Sequence, residues 1–462
     1  MDAPTTNTAW DRLRARGASW LGGLVALLLL APWIAWNRWE FVFRLNEPRN
    51  FVWSDMQGYV ERAVHLATPG IKLTRFDTFY PPGTHLLMTP LMRVAANEKD
   101  GLLLNQWLWW VLAVVTLYAV AGLGWKLFRH PLAGALAVGG LMFHWPFTIF
   151  AGLYMSENPF TCFMALSLLV GLFARDLDEA RPWRRAAVYA LAGLLAGVAT
   201  VIRPQYALGA ATIGFPLLTR RFPFVRVREA VPLLLAFLLP VLPAMELQSH
   251  AAGTRVGLSS NAGFNFYQGH CDVVHIETHE PGVAMYYTFA APVSIQRAQR
   301  EGREEKKAIH RKNMAWDNAY YFQQGWECIR QDGWAHARRW WANLEDMFGA
   351  SEPWPPNITP FAKGSATMNR LYSHALLFLL PVALLLARWR RAERWLLLQL
   401  ATLTPIMALF YGDSRYRIPY DMFGYLLLAG LMCSVFRLRR DPRRVPGLGW
   451  TVRSYPAWRG RA

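Results

Sequence analysis

Residues 415–444 read RYRIPYDMFGYLLLAGLMCSVFRLRRDPRR and contain one apolar segment between two groups of arginines. The apolar segment reaches the roughly 20 residues that a helix needs to cross a bilayer. A dense arginine cluster follows it, and such clusters mark the cytoplasmic ends of membrane helices. The stretch therefore predicts a membrane helix that begins outside the cytoplasm near Arg415 and ends inside it.

Other arginine clusters lie on alternate connections between apolar segments, at residues 12–16, 175–185, 220–228 and 388–394. The positive-inside rule places these connections in the cytoplasm and thereby defines an outer face. The predicted fold class is an all-α polytopic membrane protein of about ten helices with both termini inside. The predicted spans are 19–36, 102–124, 132–153, 157–174, 186–202, 205–219, 230–248, 371–387, 394–411 and 415–436.

The composition agrees with this class and excludes others. Of the 462 residues, 53% are hydrophobic and 17% are charged, which is too apolar for an ordinary soluble protein of this size. The net charge is +18, but the arginines lie in short connections rather than in a basic domain. We therefore expect membrane lipids, and no nucleic acid, as partners of this charge. The first apolar segment lacks a small-residue cleavage site and predicts an uncleaved helix.

The first long outer region covers residues 37–100. Ser54 and Gln57 have the spacing of a capping box, which predicts that a helix begins at Asp55. Residues 84–96 are apolar but too short to cross a bilayer, so we expect an interfacial or re-entrant helix.

The second outer region covers residues 249–370 and is predicted to form a small, mainly helical domain. A charged helical stretch is expected over 294–321, and the tryptophan-rich stretch 326–348 predicts a helix at the membrane interface. Cys271 and Cys328 both fall in this region, where an oxidising compartment is compatible with a single disulfide bridge.

The chain therefore divides into four predicted parts. Residues 1–248 form an N-terminal membrane core that includes the first outer region, and residues 249–370 form the outer-loop domain. Residues 371–436 add the last membrane helices, and residues 437–462 form a basic cytoplasmic tail. The richness in arginine and tryptophan is typical of a bacterial protein, so we expect a multi-pass protein of the inner membrane whose working face is periplasmic or exterior.

Acidic residues on the outer face are candidates for chemistry. Asp55 stands at a predicted helix start, where a carboxylate also stabilises the helix dipole. Glu157 and Asn158 begin a predicted span on the same face. A buried acid at membrane depth is costly unless it has a partner or a function, so capping and function are both open for Glu157.

Arginines on the outer face are the second group of candidates. Arg203 separates two apolar runs on the face where arginine is otherwise disfavoured. Arg415 and Arg417 begin the last predicted span on that face. A guanidinium group donates forked hydrogen bonds to phosphate oxygens, whereas contact with lipid headgroups is the alternative role.

Several familiar catalytic patterns are missing from the sequence. The histidines, including His85 and His270, do not have a recognised metal-ligand spacing. No phosphate-binding loop, dinucleotide fingerprint or nucleophile elbow is present. We therefore expect no nucleotide cofactor, and a divalent metal is not supported by a motif.

Short motifs follow one another on the outer face in a characteristic order. They are Asp55, Tyr80-Pro81-Pro82-Gly83, Ser156-Glu157-Asn158-Pro159-Phe160, Arg203-Pro204, the segment Gly263 to His270, and Arg415-Tyr416-Arg417-Ile418-Pro419. This order resembles the GT-C class of integral membrane glycosyltransferases. It is most similar to the family-39 branch, which is related to protein O-mannosyltransferases and the lipid A aminoarabinose transferase.

The resemblance implies a function and a set of site residues. It implies transfer of a sugar from a polyprenyl-phosphate donor to a hydroxyl of a protein, lipid or glycan acceptor, with Asp55 as the catalytic base. Many relatives carry two adjacent acids where this chain has Ser54 and Asp55. The residues expected to bind substrate are Tyr59, Tyr80, His85, Glu157, Asn158, Arg203, Asn265, His270, Arg415, Tyr416 and Arg417.

Two other functions are considered. A transporter or flippase of lipid-linked sugars would also carry charges in its spans, but it predicts inverted repeats and charges near the middle of the membrane. A polymerase or ligase of surface polysaccharide would share the long outer loop and the outer arginines. It would not require an early outer-loop aspartate followed by Tyr80-Pro81-Pro82-Gly83.

Overall fold

The computed structural model describes residues 25–50, 52, 55–177, 181–214, 227–271, 275–279, 286–290, 309–311, 314, 316–348, 362–387 and 391–440. The capping residue Ser54, most of the predicted helix at 294–308, and the basic tail beyond 440 lie outside these residues.

The described residues form eighteen helices and one small sheet, apart from short 3-10 turns and one π-helical segment at Glu40–Leu45. The helices of the first half are α1 (25–39), α2 (Asp55–Ala67), α3 (Gly83–Val94), α4 (Glu98–Phe128), α5 (Pro131–Phe143), α6 (Trp145–Ala151), α7 (Glu157–Asp176), α8 (Pro182–Ile202), α9 (Tyr206–Gly214) and α10 (Val227–Ala252). The second half contains α11 (Ala262–His270), β1 (His275–His279), β2 (Tyr286–Ala290), β3 (Ile309–Arg311), α12 (Asn318–Asp332), α13 (His336–Phe348), α14 (Ala362–Ala387), α15 (Arg391–Ala401), α16 (Leu403–Leu409), α17 (Ser414–Arg417) and α18 (Asp421–Arg440).

Several helices are long and apolar enough to cross a membrane. Within the described residues these are α4, α7, α8, α10 and α14, and a sixth span results if α5 and α6 are counted as one. A bend of 78° separates α5 from α6. Pro146 explains the break between them, because proline cannot donate the backbone hydrogen bond that would continue a helix.

Other predicted spans have a different form in the structure. The span predicted at 415–436 begins with the short helix α17, and its main helix α18 begins only at Asp421. The described part of the span predicted at 19–36 belongs to α1. The described part of the span predicted at 205–219 is the short helix α9, and the span predicted at 394–411 is divided between α15 and α16. Pro405 lies in the first turn of α16 and cannot donate to the carbonyl of Ala401, so the helix is interrupted at Thr402.

Glycines allow some of the core helices to approach at backbone distance. A Cβ atom added to Gly193 of α8 would lie 2.1 Å from the carbonyl oxygen of Leu233 in α10. One added to Gly197 would lie 2.3 Å from the carbonyl oxygen of Phe237. Small residues are the usual means of close helix packing in membranes, where burial of apolar side chains brings little gain.

The first outer region folds around a buried arginine. Helix α2 begins at Asp55, as the sequence predicts. Arg62 of α2 is almost fully buried and donates to the carbonyl oxygens of Gly58, Phe76 and Asp77. These hydrogen bonds fix the loop that leads from α2 to α3, and α3 is a helix where an interfacial helix was expected.

The second outer region contains both helices and strands. The helix expected over 294–321 is wrong at residues 309–311, which form β3, and it is found only from Asn318 onward. The strands have the order β2-β1-β3, in which β1 pairs antiparallel with β2 and parallel with β3. The helix predicted over 326–348 is divided at Gly333, whose φ of +54° is readily adopted only by glycine.

The disulfide that the sequence allows is present in the structure. Cys271 follows α11 and is bonded to Cys328 of α12, 57 residues further along the chain. Cross-linking a loop of this length restricts the unfolded chain and stabilises the folded state by about 2–4 kcal/mol. The bridge thus attaches α11 to the helices of the second outer region.

We expect reduction to lower the stability of this protein. The double substitution of Cys271→Ser and Cys328→Ser should reduce the free energy of unfolding by about 2–4 kcal/mol. Thermal unfolding in detergent, with and without a reductant, measures the effect. The buried free cysteines Cys162 and Cys433 provide the control, since their serine variants should keep the sensitivity to reductant. A natural protein that unfolds at the same temperature in both buffers would contradict the proposed contribution of the bridge.

Candidate active site

One cavity of about 460 Å³ lies where the start of α2, the end of α8 and the start of α17 come together. This volume is in the range of sites that bind small molecules. Its wall is formed by Asp55, Tyr59, Phe79, Tyr80, Pro81, Ser156, Ile202, Arg203, Pro204, Gln205, Ser259, Asn261, Ala262, Phe264, Asn265, Gln268, Ile406, Phe410, Tyr411, Asp413, Arg415 and Tyr416.

Four charged side chains form a continuous series along this cavity, which we call the charge cluster: Asp55, Arg415, Glu157 and Arg203. Nη1 of Arg415 donates to Oδ2 of Asp55 at 2.7 Å, and Nε of Arg415 donates to Oε1 of Glu157. Nη2 of Arg203 donates to the same Oε1 at 2.8 Å. Opposite charges alternate throughout, so each charge is compensated by a neighbour.

Asp55 is the most exposed member of the charge cluster, with 28% of its side chain accessible. Its Oδ1 accepts a hydrogen bond of 2.7 Å from the hydroxyl of Tyr80. Together with Arg415, this bond engages both carboxylate oxygens. The carboxylate is therefore held in one orientation at the cavity wall.

The tyrosines beside Asp55 remain protonated over the physiological range. Burial raises the pKa of Tyr59 to about 12, and the negative charge of Asp55 adds to the effect. Burial and the same charge raise the pKa of Tyr80 well above its ordinary value. Tyr80 consequently keeps the proton that it donates to Asp55, and the rings of Tyr59 and Tyr80 lie 4.8 Å apart between centroids.

Arg203 has a donor that the described residues do not satisfy. Its Nε donates to Oγ of Ser156 at 2.9 Å, and Nη2 is used by Glu157, but Nη1 is buried without a hydrogen-bond partner in the described part of the chain. Since an unpaired buried donor is costly, this atom marks a place for an acceptor. Arg203 is also part of the cavity wall.

The glycine of the Tyr80-Pro81-Pro82-Gly83 motif places the end of α8 at this site. A Cβ atom on Gly83 would lie 2.5 Å from the backbone nitrogen of Ile202. The absence of a side chain thus lets α3 contact the residue that precedes Arg203. The motif brings Arg203 and Tyr80 to one cavity.

Most of the residues predicted from the sequence lie at this site. The cavity wall includes Asp55, Tyr59, Tyr80, Arg203, Asn265, Arg415 and Tyr416. Glu157 lies behind the wall, almost fully buried, and contacts two of the wall arginines. The structure therefore joins motifs that are as far apart as 360 residues in the chain.

Arg417 lies away from the cavity. Its side chain is fully buried and donates to Asp421 at 2.9 Å, to Ser373 at 3.0 Å and also to Asn369. Asp421 in turn accepts a hydrogen bond of 2.9 Å from His144 if the facing ring nitrogen carries the proton. This arrangement joins the last helix to α14 and accounts for Arg417 structurally.

Three other predicted binding residues also lie off the wall. Asn158 donates to the carbonyl oxygen of Trp109 at 2.8 Å. His85 is buried in α3, and burial lowers its pKa to about 3. His270 lies 2.8 Å from His336 between ring nitrogens, and burial lowers the pKa of His270 to about 4.

Sequence reasoning missed an acidic residue of the cavity wall. Asp413 is buried, and burial raises its pKa to about 6. Its Oδ1 accepts a hydrogen bond of 2.8 Å from the backbone nitrogen of Arg415, which makes Asp413 the N-cap of α17. The signal was present in the sequence, because an aspartate two residues before Arg415 has the position of a helix cap.

Metal ions in proteins require sets of several ligand side chains. The described part of the chain contains no group of three or more His, Cys, Asp or Glu side chains that could hold a metal ion.

No family model matches this chain, and no curated protein matches it. Solved structures of the oligosaccharyltransferase of Archaeoglobus fulgidus are similar to it. The structure tethered to an acceptor peptide with the NVT sequon has a TM-score of 0.49 and 13% identity, covering 91% of this chain and 50% of that chain. The complex with an inhibitory peptide and a dolichol-phosphate has a TM-score of 0.45 and 12% identity, covering 92% and 52%. This chain spans about half the length of that enzyme, and a similarity of this strength assigns neither family nor function.

The pKa of Asp413 leads to a pH-dependent prediction for stability. The folded state binds this proton more tightly than the unfolded chain, whose aspartate has a pKa of 3.8, so the natural protein loses stability as pH rises from about 4 to about 6. Asp413→Asn removes the free-energy cost of ionising this buried carboxyl group. It also keeps an oxygen acceptor for the backbone nitrogen of Arg415. Above pH 6 the variant should be more stable by up to about 3 kcal/mol, and the difference should vanish near pH 4.

Unfolding of both proteins in detergent over this pH range tests the prediction. Asp100→Asn is the matched control, because Asp100 is an exposed carboxylate near the start of α4. A constant stability difference between Asp413→Asn and the natural protein at all pH values would show that Asp413 does not titrate in this window.

Proposed function

We propose that this chain is a GT-C glycosyltransferase of the family-39 type, which transfers a sugar from a polyprenyl-phosphate donor to an acceptor hydroxyl. One observation carries the proposal: a single cavity is lined by an oriented carboxylate, Asp55, and by two arginines, Arg203 and Arg415. These are the groups that such a reaction needs, namely a base and cations for a leaving phosphate.

The arginines are suited to the phosphate of the donor. Arg203 offers Nη1, which has no partner among the described residues, and a guanidinium group matches the geometry of phosphate oxygens. Glu157 holds Arg203 and Arg415 in fixed positions before substrate arrives. This prior orientation stabilises the negative charge that grows on the phosphate as the glycosidic bond breaks.

Asp55 is suited to the role of base. The acceptor oxygen forms a bond to the anomeric carbon while the bond from that carbon to the phosphate oxygen breaks. The acceptor proton passes to the carboxylate of Asp55, and the polyprenyl phosphate leaves with the electron pair. Tyr80 and Arg415 hold the carboxylate during this step.

Other residues of the cavity wall provide the remaining contacts. The segment 259–268 contributes Ser259, Asn261, Asn265 and Gln268, which offer hydrogen bonds to sugar or acceptor hydroxyls. The apolar residues Ile406 and Phe410 offer a surface for the first part of the lipid tail. We infer a site on the outer face of a bacterial inner membrane, with a protein, lipid or glycan as acceptor.

Asp55→Asn should lower sugar transfer by roughly a hundredfold or more, because it removes the base and preserves the shape. Binding of the donor should change much less. The measurement is the rate of sugar transfer from a polyprenyl-phosphate sugar by the purified protein. Glu61→Gln is the control, because it also replaces a carboxylate of α2 by an amide but lies away from the cavity wall. Full activity of Asp55→Asn would exclude Asp55 as the base.

Arg203→Ala should weaken binding of a polyprenyl phosphate, and Arg203→Lys should restore only part of the affinity, because lysine lacks the forked geometry. A loss of about tenfold or more corresponds to one charge-assisted hydrogen bond. Equilibrium binding to purified variants measures it, and Arg93→Ala, an exposed arginine of α3, is the control. Unchanged affinity in Arg203→Ala would place the phosphate elsewhere. Movement of a lipid-linked sugar across vesicles without any transfer would favour a flippase.

A further inference from the structure

Arg38 is a buried cation whose partner the described structure does not supply. It lies in the last turn of α1 and is 0% exposed, and none of its three guanidinium nitrogens has a hydrogen-bond partner among the described residues. The ring of Phe147 lies 5.6 Å from its guanidinium carbon. Such a contact does not replace the lost hydration of a guanidinium group, so a polar partner is expected.

A second, much smaller cavity lies at this side chain. Its volume is about 10 Å³, which is close to the smallest space that holds one water molecule. Its polar lining consists of Arg38, Thr116, Glu157, Asn158 and Thr161. A water there would have the two to four polar neighbours that a buried water requires.

The Oε2 atom of Glu157 can accept a hydrogen bond from a water in this small cavity. Oε1 accepts from both Arg203 and Arg415, whereas the side-chain hydrogen bond that Oε2 accepts among the described residues is a long one of 3.5 Å from Oγ of Ser156. An ionised carboxylate oxygen can accept more than one strong hydrogen bond. Glu157 therefore belongs to two sites, with the charge cluster on one side and Arg38 on the other.

We propose that a buried water joins Arg38 to Oε2 of Glu157, and that Arg38 is thereby a positioning residue of the charge cluster. Arg38 does not touch the substrate. It acts by holding the carboxylate that orients Arg203 and Arg415, and by adding one positive charge behind it. The water donates to Glu157 and accepts from Arg38, so both groups stay ionised in a buried place.

The charge of Arg38 should also affect binding of the phosphate donor, an argument that rests on the proposed function. With Asp55, Glu157 and Asp413 ionised, the two wall arginines leave these groups with one excess negative charge. Asp346 adds a further negative charge beside Asp413. Arg38 offsets one of these negative charges. Without it, the site would repel the phosphate of a polyprenyl donor that it is proposed to bind.

A double-mutant cycle tests the link without any substrate. Arg38→Met keeps an unbranched apolar stem and removes the guanidinium charge, and Glu157→Gln removes the partner charge. If the water links them, Arg38→Met lowers the unfolding temperature, and the two changes together cost less than the sum of the single losses. If no water contacts Arg38, its buried charge destabilises the fold, and Arg38→Met raises the unfolding temperature. The effects of Arg38→Met and Glu157→Gln then add, which overturns the proposal.

Two further variants make the result specific. Arg44→Met is the control, because Arg44 follows Arg38 along the chain, in the π-helical segment, and its side chain is 75% exposed. It should leave the unfolding temperature nearly unchanged. Arg38→Lys retains the charge and should recover part of the coupling to Glu157. If Arg38→Met does not fold, Arg38→Gln, which also removes the charge but stays polar, replaces it in the cycle with Glu157→Gln, and additivity in that cycle overturns the link.

Binding of polyprenyl phosphate separates this inference from the proposed function. Arg38→Met should weaken binding by about tenfold, as expected for the loss of one favourable charge at the intermediate dielectric of such sites, while Arg38→Lys should bind nearly as the natural protein does. Coupling to Glu157 together with unchanged donor affinity would overturn the charge-balance role. If the natural protein itself binds no polyprenyl phosphate, the proposed function fails, whereas the stability cycle still decides the link between Arg38 and Glu157.

Discussion

The arrangement of the site depends on one buried carboxylate. Glu157 is 1% exposed and accepts hydrogen bonds from two guanidinium groups that come from the end of α8 and from α17. Removing one partner of such a pair leaves a buried charge without compensation, at a cost of about 3–5 kcal/mol. The same interaction that holds the helix ends together therefore fixes the direction in which Arg203 and Arg415 face the cavity, so stability and site geometry cannot vary independently here.

Much of the architecture follows from local sequence. The long apolar segments of the first half are found as α4, α7 and α8, because a continuous apolar run in a helix-forming stretch leaves few alternatives. The start of α2 at Asp55 is where the spacing of Ser54 and Gln57 in the sequence predicts it. Breaks inside apolar runs were not predicted. A hydropathy window averages over Pro146 and Pro405, while the lost backbone hydrogen bond acts at a single position.

The candidate site shows which part of the chemistry needs three-dimensional information. Arg415 and Arg417 are two residues apart and similar in their surroundings along the chain, yet one faces the cavity and the other is enclosed by Asn369, Ser373 and Asp421. These partners come from distant helices, so no local pattern distinguishes the two arginines. Asp413 was missed for the opposite reason, since its role as a helix cap is local but its burial is not.

The close contact of α8 with α10 limits how the lipid-linked donor of the proposed function could reach the cavity. Backbone atoms of the two helices approach so closely at Gly193 and Gly197 that even a methyl group has no room between them. An isoprenoid chain is wider than a methyl group, and this seam is therefore closed to lateral diffusion from the bilayer. A lipid-linked donor that binds at Arg203, which follows α8, must therefore enter and leave along another side of the helix bundle. The two glycines thus restrict the sides from which the cavity is accessible.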